Sequence, residues 1–205
     1  MLTPRIPVVL LMVLIALAGG LAAKERPATW ASPMEPRPGL ENFFRVSDQL
    51  YRGAQPKKEG FDELKKLGIR TVVNLRTSRS DEEECRDAGL KYFPIPVKAR
   101  EVGDEEVIEF LKVATNPENQ PVFVHCRHGA DRAGVMSAAY RVAVQGWSKE
   151  EAIEEMTRGG FRFHSIFRSL VDYIREMDVE SAKRLSGMAI PGHLGNTVTV
   201  GRQGQ

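Results

Sequence analysis

One short apolar segment and the residues after it constrain the fold of this chain more than any other feature. Residues 121–125 read PVFVH, a composition suited to a strand at the centre of a sheet. After a loop, residues 132–145 carry apolar side chains at helical spacing, and Gly146 can end that helix. A buried strand that leads through a loop into a helix is typical of an α/β sheet.

Strand and helix signals alternate along the rest of the chain. β-branched and aromatic runs predict strands at residues 43–46, 49–52, 69–75, 91–97 and 121–125. Pro94 and Pro96 place the fourth of these strands at an edge of the sheet. Periodicity and capping residues predict helices at 61–67, 81–88, from Asp104 onward, at 132–145, after Ser148 and around 167–174. We therefore predict a single α/β domain with a central, mainly parallel sheet flanked by helices.

The first residues of the chain predict an export signal. Arg5 precedes a continuous apolar run at residues 8–18, small residues follow, and charge returns at Lys24. We interpret residues 1–23 as a secretory signal peptide, and the alternative is an uncleaved membrane anchor through residues 7–23. Both interpretations place the folded part outside the cytoplasm, either periplasmic, secreted or attached to the membrane.

The segments on either side of the domain are predicted to be irregular. Four prolines between Pro27 and Pro38 make residues 24–41 an extended, semi-rigid spacer rather than a core element. Residues 185–205 are rich in glycine and polar side chains, so we expect a disordered tail. The domain is therefore expected to occupy residues 42–184.

Charge and cysteine content exclude two broad classes of protein. Lys and Arg total 29 against 27 Asp and Glu, a net charge of +2, which argues against a nucleic-acid partner. The two cysteines, Cys85 and Cys126, are too few for a disulfide framework. Cys85 is expected to be a small buried residue of its helix, and a regulatory disulfide with Cys126 is the alternative.

Residues 125–132 read HCRHGADR and form the candidate site. Cys126 follows a central strand, at the edge of the sheet where open α/β folds bind ligands. The backbone amides of the next five residues can turn inward as an anion-binding nest, reinforced by the positive end of the following helix. Arg132 can grip two phosphate oxygens, and positive surroundings favour the thiolate form of a cysteine. The predicted phosphate-binding residues are Arg127, His128, Gly129, Ala130, Asp131 and Arg132.

This arrangement predicts covalent catalysis. The thiolate of Cys126 would attack the phosphorus of the bound phosphate and form a phosphocysteine that water then hydrolyses. Gly129 lets the loop turn without a clash of a Cβ atom, and His125 is expected to hydrogen-bond around the loop and fix the cysteine.

The same residues resemble a known family. HCRHGADRAG is similar to the His-Cys-x5-Arg signature of the protein tyrosine and dual-specificity phosphatases. The segments LYRGAQP, TVVNLR, FPIPV and GGFRFH resemble the small atypical dual-specificity phosphatases of bacteria, fungi and plants, over roughly residues 43–174. The resemblance implies a protein tyrosine phosphatase fold and hydrolysis of phosphate monoesters without a metal or an organic cofactor. Its substrate would be a phosphorylated protein, with phosphotyrosine or phosphoserine, or a small-molecule phosphate.

The resemblance also implies a general acid in a loop before the signature. Asp104, which lies between the FPIPV strand and the next helix, is the candidate. The alternative is that Asp104 only caps that helix, since aspartate is a favoured N-cap residue. Glu105, Glu106 and Asp131 remain open as the acid.

Two residues depart from the family pattern. Ala133 stands where many members have a Ser or Thr whose hydroxyl helps the thiolate leave, so we expect slow breakdown of the phosphoenzyme. Asp131 adds a negative charge to the loop, which Arg127 and His128 offset, and disfavours very highly charged substrates such as inositol polyphosphates. A low-turnover phosphate-binding module therefore stays open, as does a rhodanese-like sulfurtransferase, although the Cys-x5-Arg spacing disfavours the latter.

Other polar residues receive structural interpretations. Exposed charge is the expected state of the following residues, with the mouth of the pocket as the alternative: Arg52, Arg76, Arg79, Lys98 and Arg100. His164 is expected to be a hydrogen-bonded structural histidine.

Overall fold

The computed structural model of the chain describes residues 26–188. The predicted signal peptide, the alternative membrane anchor and residues 189–205 of the predicted tail lie outside the described residues. Among residues 26–188, no helix is long and apolar enough to cross a bilayer.

The described part of the chain contains six strands and seven helices. The strands are β1 (Ser32–Pro33), β2 (Phe44–Arg45), β3 (Leu50–Gly53), β4 (Thr71–Asn74), β5 (Lys91–Pro94) and β6 (Val122–His125). The helices are α1 (Lys58–Lys66), α2 (Glu82–Asp87), α3 (Asp104–Thr115), α4 (Arg132–Gln145), α5 (Lys149–Arg158), α6 (Arg168–Glu176) and α7 (Val179–Leu185).

The sheet is mixed and mostly parallel, in the order β1-β2-β3-β6-β4-β5. β6 runs parallel to both of its neighbours, β3 and β4, and β5 forms the edge that its prolines predicted. In this register Gly53, Asn74 and His125 end their strands side by side. The residues that follow β6 therefore leave the sheet at its carboxyl edge, between the ends of two other strands. The predicted α/β fold with a central PVFVH strand is confirmed.

Helices cover both faces of the sheet because side chains alternate along each strand. Val72 and Phe123 pack with α1 and α2 on one face. Val73 and Val124 belong to the larger core on the other face, which the remaining five helices complete. Fully buried strands such as TVVN and VFVH are what a sheet covered on both faces requires.

Most element boundaries agree with the sequence prediction, and two elements were missed. Helix α4 and the capping box of α5, in which Ser148 Oγ accepts from the amide of Glu151, are as predicted. Helix α7 was missed because it is only seven residues long and buries a single side chain, Ala182. Strand β1 was missed because two residues carry no periodicity.

The prediction that residues 24–41 form a spacer outside the core is wrong for residues 26–41, which pack as part of the domain. Ala31 is buried in the main core, and Ser32–Pro33 pairs with β2 as an antiparallel edge strand. The guanidinium of Arg26 donates to the carbonyls of Ala31 and Gly159. Prolines keep a chain extended and are tolerated at a sheet edge, so their presence predicted the backbone shape but not its packing.

A buried ion pair ties this first segment to the helices. Arg141 of α4 donates from Nε and Nη2 to both carboxylate oxygens of Glu155 in α5, at 2.8 and 2.6 Å. The same carboxylate accepts the amide of Ala31 at 2.5 Å. Both charged side chains are only 3% exposed, so each depends on the other for its compensation.

We predict that Glu155→Gln lowers the free energy of unfolding by about 3 kcal/mol, because it leaves a buried guanidinium without its counter-charge. Urea denaturation at neutral pH measures this change. Glu150→Gln, on the exposed side of the same helix, is the matched control and should stay within about 0.5 kcal/mol of the parent chain. Equal effects of the two substitutions would show that the ion pair does not stabilise the fold.

Candidate active site

The candidate site is a cavity of about 320 Å³ at the carboxyl edge of the sheet. Cys126 lies at its base and is 2% exposed. The lining residues are Ala99, Cys126, Arg127, His128, Asp131, Arg132, His164, Ile166 and Phe167. Five of these nine residues belong to residues 126–132, the signature loop, and three lie between His164 and Phe167.

The backbone of the signature loop is arranged for an anion. Within the described chain, none of the six amides of residues 127–132 donates a hydrogen bond to a protein acceptor. Unpaired amides are rare in folded proteins, and a run of them before a helix is the pattern of an anion-binding nest. Cys126 is therefore placed beside a seat for a tetrahedral anion.

The loop carbonyls, in contrast, all have donors outside the cavity. The carbonyl of Arg127 accepts the amide of Gln55 at 3.3 Å. The carbonyl of His128 accepts Asn42 Nδ2 at 2.8 Å, and the same nitrogen donates to Phe161. Because the carbonyl and the amide of a planar trans peptide point in opposite directions, anchoring the carbonyls outward turns the amides inward.

Arg52 anchors the other two carbonyls, and the expectation of exposed charge for this residue is wrong. Its Nη2 donates to Gly129 at 2.8 Å and to Ala130 at 3.0 Å. The side chain is 1% exposed and its guanidinium carbon lies 3.9 Å from the centre of the Phe161 ring. Burial lowers the pKa of Arg52 to about 10, so the group remains a cation at neutral pH. Sequence reasoning missed this role because a lone arginine in a strand carries no signal of burial.

Gly129 is required by the close approach of the loop to β3. Its φ is +68°, and a Cβ there would lie only 2.6 Å from the carbonyl oxygen of Gly53. A larger residue would have both an unfavourable backbone conformation and a steric overlap. The sequence prediction that a glycine permits this turn agrees with the geometry.

Arg132 projects from the first turn of α4 toward the ends of two strands. Its Nη1 donates to the carbonyls of Leu75 and Val97, at 3.1 and 3.2 Å. Its Nε and Nη2 have no acceptor among residues 26–188. One edge of the guanidinium fixes the side chain, and the other edge is available for the planar, two-point contact that arginine makes with phosphate.

A buried polar cluster behind the cysteine was not predicted. His125 Nε2 lies 3.1 Å from Asp81 Oδ2, and both side chains are fully buried. Asn74 Nδ2 donates to the same oxygen at 2.6 Å, and Gln55 Nε2 donates to Oδ1 at 2.7 Å. His125 Nδ1 is 3.5 Å from the carbonyl of Cys126, so the ring lies between Asp81 and the start of the signature loop. A polar Asn74 at the end of an apolar strand was the available signal.

Burial by itself raises the pKa of Asp81, but the hydrogen bond and charge of His125, together with the bonds from Gln55 and Arg79, outweigh it and lower the pKa. The carboxylate is thus kept ionised behind the signature loop. This carboxylate lies 3.1 Å from the imidazole of His125, the residue that precedes the cysteine.

The four candidate acids lie in different places. Asp104 does not line the cavity; it is the first residue of α3, whose N-cap is Gly103, and its Oδ1 accepts the hydroxyl of Tyr173 at 2.8 Å. Glu106 accepts the amide of Gly103, and Glu105 is exposed on the same helical turn. Asp131 is the member of this set that lines the cavity.

His164 faces the cavity and is bonded to Asp131. Its amide donates to Asp131 Oδ1 at 2.9 Å, and its ring Nδ1 lies 2.9 Å from Oδ2. The expectation of a hydrogen-bonded histidine is met, but its ring is also a wall of the cavity. The repulsion predicted from Asp131 is reduced, because its carboxylate is directed at the amide and ring of His164.

The remaining candidates do not line the cavity of Cys126. Arg79, Lys98 and Arg100 are exposed, as expected, and Arg76 is half-buried with Nη1 donating to Gln55. The two cysteines are free and belong to different core clusters. Burial, with Asp81 and Glu84 nearby, raises the pKa of Cys85 to about 12, so it is a neutral thiol at physiological pH.

Three known families or proteins with similar sequences are all phosphatases. A family model described as DSP-PTPase phosphatase fused to NAD+ kinase matches residues 42–170. The dual specificity protein phosphatase TpbA of Pseudomonas aeruginosa is 36% identical over 167 residues, which cover 81% of this chain and 74% of TpbA. The inositol diphosphatase DSP3 of Arabidopsis thaliana is 29% identical over 152 residues, 70% of this chain and 73% of DSP3.

The similarity extends to solved structures. The crystal structure of P. aeruginosa TpbA aligns with a TM-score of 0.70 at 33% identity, covering 80% of this chain and 99% of that one. A TpbA variant in complex with pTyr aligns with a TM-score of 0.69 at 32% identity, covering 80% and 100%.

The buried cluster makes a pH-dependent prediction. Because folding lowers the pKa of Asp81, its contribution to stability is present above the pKa of an unfolded aspartate and is lost as the pH falls through the folded value. Asp81→Asn should therefore cost about 1–3 kcal/mol at pH 7 and progressively less below about pH 4.

Urea titrations between pH 7 and pH 3 measure this difference. Asp87→Asn, at an exposed position of the neighbouring helix α2, is the matched control and should show no such convergence. A stability gap between the parent chain and Asp81→Asn that stays constant down to pH 3 would contradict the prediction.

Proposed function

This chain belongs to the DSP-PTPase phosphatases, and on that premise we propose that Cys126 is the nucleophile with which it hydrolyses phosphate monoesters. The observation that carries this proposal is the run of six unpaired amides around a cysteine at the base of a cavity. A nest of this kind binds a tetrahedral dianion, and it favours the thiolate over the thiol.

The phosphate seat would be built from backbone and one side chain. The amides of residues 127–132 surround the non-bridging oxygens, and the free edge of Arg132 takes two of them. These donors are held before the substrate arrives, by Arg52, Asn42 and Gln55 from outside. Fixed dipoles aimed at the charge of the transition state are the largest contribution that a site of this kind makes to rate.

The reaction would proceed in two displacements. Sulfur forms a bond to phosphorus while the bond to the leaving oxygen breaks, and that oxygen takes up a proton. Water then attacks the phosphocysteine, the bond between sulfur and phosphorus breaks, and inorganic phosphate and the thiolate are released. The sulfur carries the negative charge before and after the cycle, so the enzyme needs no further reactant.

Phosphotyrosine is the substrate that the cavity supports best. Phe167 and Ile166 line its opening, and the side chain of Ile166 is 67% exposed there. An aromatic leaving group can pack against these apolar side chains while its phosphate occupies the signature loop. The similar TpbA has been solved in complex with pTyr, which supports the same assignment.

A second candidate substrate is an inositol diphosphate, and a neighbouring cavity favours it. This cavity of about 250 Å³ shares Arg127, His128 and His164 with the first one and adds Arg162, Asn42, Ala54 and Glu41, whose carboxylate is paired with Lys57. Neither Arg127 nor Arg162 has an acidic partner among residues 26–188. Two exposed guanidinium groups beside the phosphate seat can bind a second phosphate, as the activity named for DSP3 would require.

We further infer that the protein acts outside the cytoplasm. The inference rests on the charge at Arg5, the apolar run at residues 8–18 and the small residues before Lys24.

Replacement of the nucleophile gives the central prediction. Cys126→Ser should abolish hydrolysis of 4-nitrophenyl phosphate, because a hydroxyl lacks the nucleophilic anion, while tungstate still binds to the intact amides. Steady-state assays and tungstate calorimetry measure the two properties. Cys85→Ser is the control and should keep its activity. Hydrolysis by Cys126→Ser at the parent rate would refute the mechanism. If the unsubstituted chain does not bind tungstate, the proposed phosphate-binding site is wrong.

The second cavity predicts a substrate-selective effect. Arg162→Gln should raise KM about tenfold for an inositol diphosphate, equivalent to about 1.4 kcal/mol, and leave KM for phosphotyrosine nearly unchanged. Arg158→Gln, an exposed arginine of α5 outside both cavities, is the control. Equal KM changes for the two substrates would exclude a separate subsite at Arg162.

A further inference from the structure

The cavity contains a histidine whose ring is held by a buried carboxylate, and this pair has no role in the steps described so far. We propose that His164 is the general acid and base of the reaction, and that Asp131 positions it. The proposal rests on the proposed phosphatase function, because it assigns the proton transfers of that mechanism to named side chains.

Asp131 holds His164 at two points. The side chain of Asp131 is 10% exposed at the start of α4, and it accepts the His164 amide and ring Nδ1, each at 2.9 Å. The ring nitrogen bonded to the carboxylate is therefore committed, and Nε2 is the nitrogen left for the substrate. A carboxylate on one ring nitrogen fixes the tautomer and stabilises the imidazolium, which is the arrangement that acid–base histidines use.

The ring is in the right cavity for this work. His164 lines the same cavity as Cys126 and Arg132, packs edge-on against Phe167 with ring centroids 6.1 Å apart, and lies 5.8 Å from the ring of His128. The charged groups that line the two cavities with it are Asp131, Glu41, Arg127, Arg132, Arg162, Cys126 as the thiolate and, when protonated, His128. Asp131 is the one among them that bonds to the ring, so it is the group that compensates an imidazolium.

The other candidates for proton transfer are committed elsewhere. The carboxylate of Asp104 accepts from Tyr173, and Glu106 accepts from the amide of Gly103. Ala99 is the residue that the loop preceding α3 contributes to the lining. The described chain thus presents no carboxylate from that loop to the cysteine, whereas it presents His164 directly.

A single imidazole, that of His164, accounts for both proton transfers of the reaction. In the first displacement the imidazolium of His164 gives the proton on Nε2 to the leaving oxygen as the bond between that oxygen and phosphorus breaks. In the second, the neutral Nε2 takes a proton from water as the water oxygen bonds to phosphorus and the thiolate leaves. The imidazolium is restored, and Asp131 keeps its charge throughout.

Base catalysis by His164 also compensates for the hydroxyl that is missing at Ala133. A hydroxyl beside the thiolate would help it leave from the phosphocysteine, and Ala133, in the first turn of α4, has a buried methyl group there. Base assistance to water by His164 acts on the same step, from the substrate side of the phosphorus rather than from the sulfur side.

A leaving-group series tests the assignment. The 4-nitrophenolate ion leaves without protonation at neutral pH, whereas the phenolate of tyrosine, with a pKa of about 10, needs a proton. For His164→Gln we expect kcat/KM to fall about 100-fold with phosphotyrosine and less than about fivefold with 4-nitrophenyl phosphate. Asp131→Asn should show the same selectivity with a smaller loss and should move the alkaline limb of the kcat/KM pH profile to lower pH, because the protonated His164 is needed for the first displacement.

His128→Gln removes the other imidazole of the cavity, which has no carboxylate partner within residues 26–188, and should lower kcat/KM by the same factor with both substrates. The retained turnover of 4-nitrophenyl phosphate shows that each variant is folded. An equal loss with both substrates for His164→Gln would overturn the proposal, as would selective loss in His128→Gln or Asp104→Asn. A parent chain that hydrolyses neither substrate would instead overturn the phosphatase function itself.

Discussion

The site depends on one constraint, which is that the carbonyls of the signature loop are bonded on its outer side. Four successive carbonyls at residues 127–130 accept from Gln55, Asn42 and Arg52. Because each peptide unit is planar, the amides are left pointing into the cavity. An anion seat made of backbone has no side chain to identify it, and its quality is decided by the groups that hold it from behind.

The segments outside the signature loop can be understood as supports for this constraint. Arg52 is a buried cation in β3, stacked on Phe161, and Asn42 joins the loop to the same residue. Phe161 in turn follows α5, whose Glu155 binds both Arg141 and the first described segment of the chain. Residues 26–41, which composition assigned to a spacer, therefore belong to the structure that holds the phosphate seat.

Charge compensation decides which polar groups around the cysteine can react. Asp81 is committed to His125 behind the loop, where both are fully buried. Asp131 is committed to His164 inside the cavity, where the ring is half exposed and its second nitrogen is free. The two aspartate–histidine pairs thus differ in access: the first is closed off behind the loop, and the second is the pair to which we assign the proton transfers.

The sequence by itself determined the order of the strands and helices other than β1 and α7, the central position of β6, and the placement of Cys126 after β6 and of Arg132 at the start of α4. These features depend on neighbouring residues, through periodicity, capping and the fixed spacing of a loop, so a linear pattern contains them. Only the tertiary structure decided that Arg52 is buried, that Asp104 faces Tyr173, and that His164 meets Asp131 across 33 positions of the chain. Such pairings depend on which elements pack together, and a hydrogen bond between distant segments leaves no periodic signal in either one.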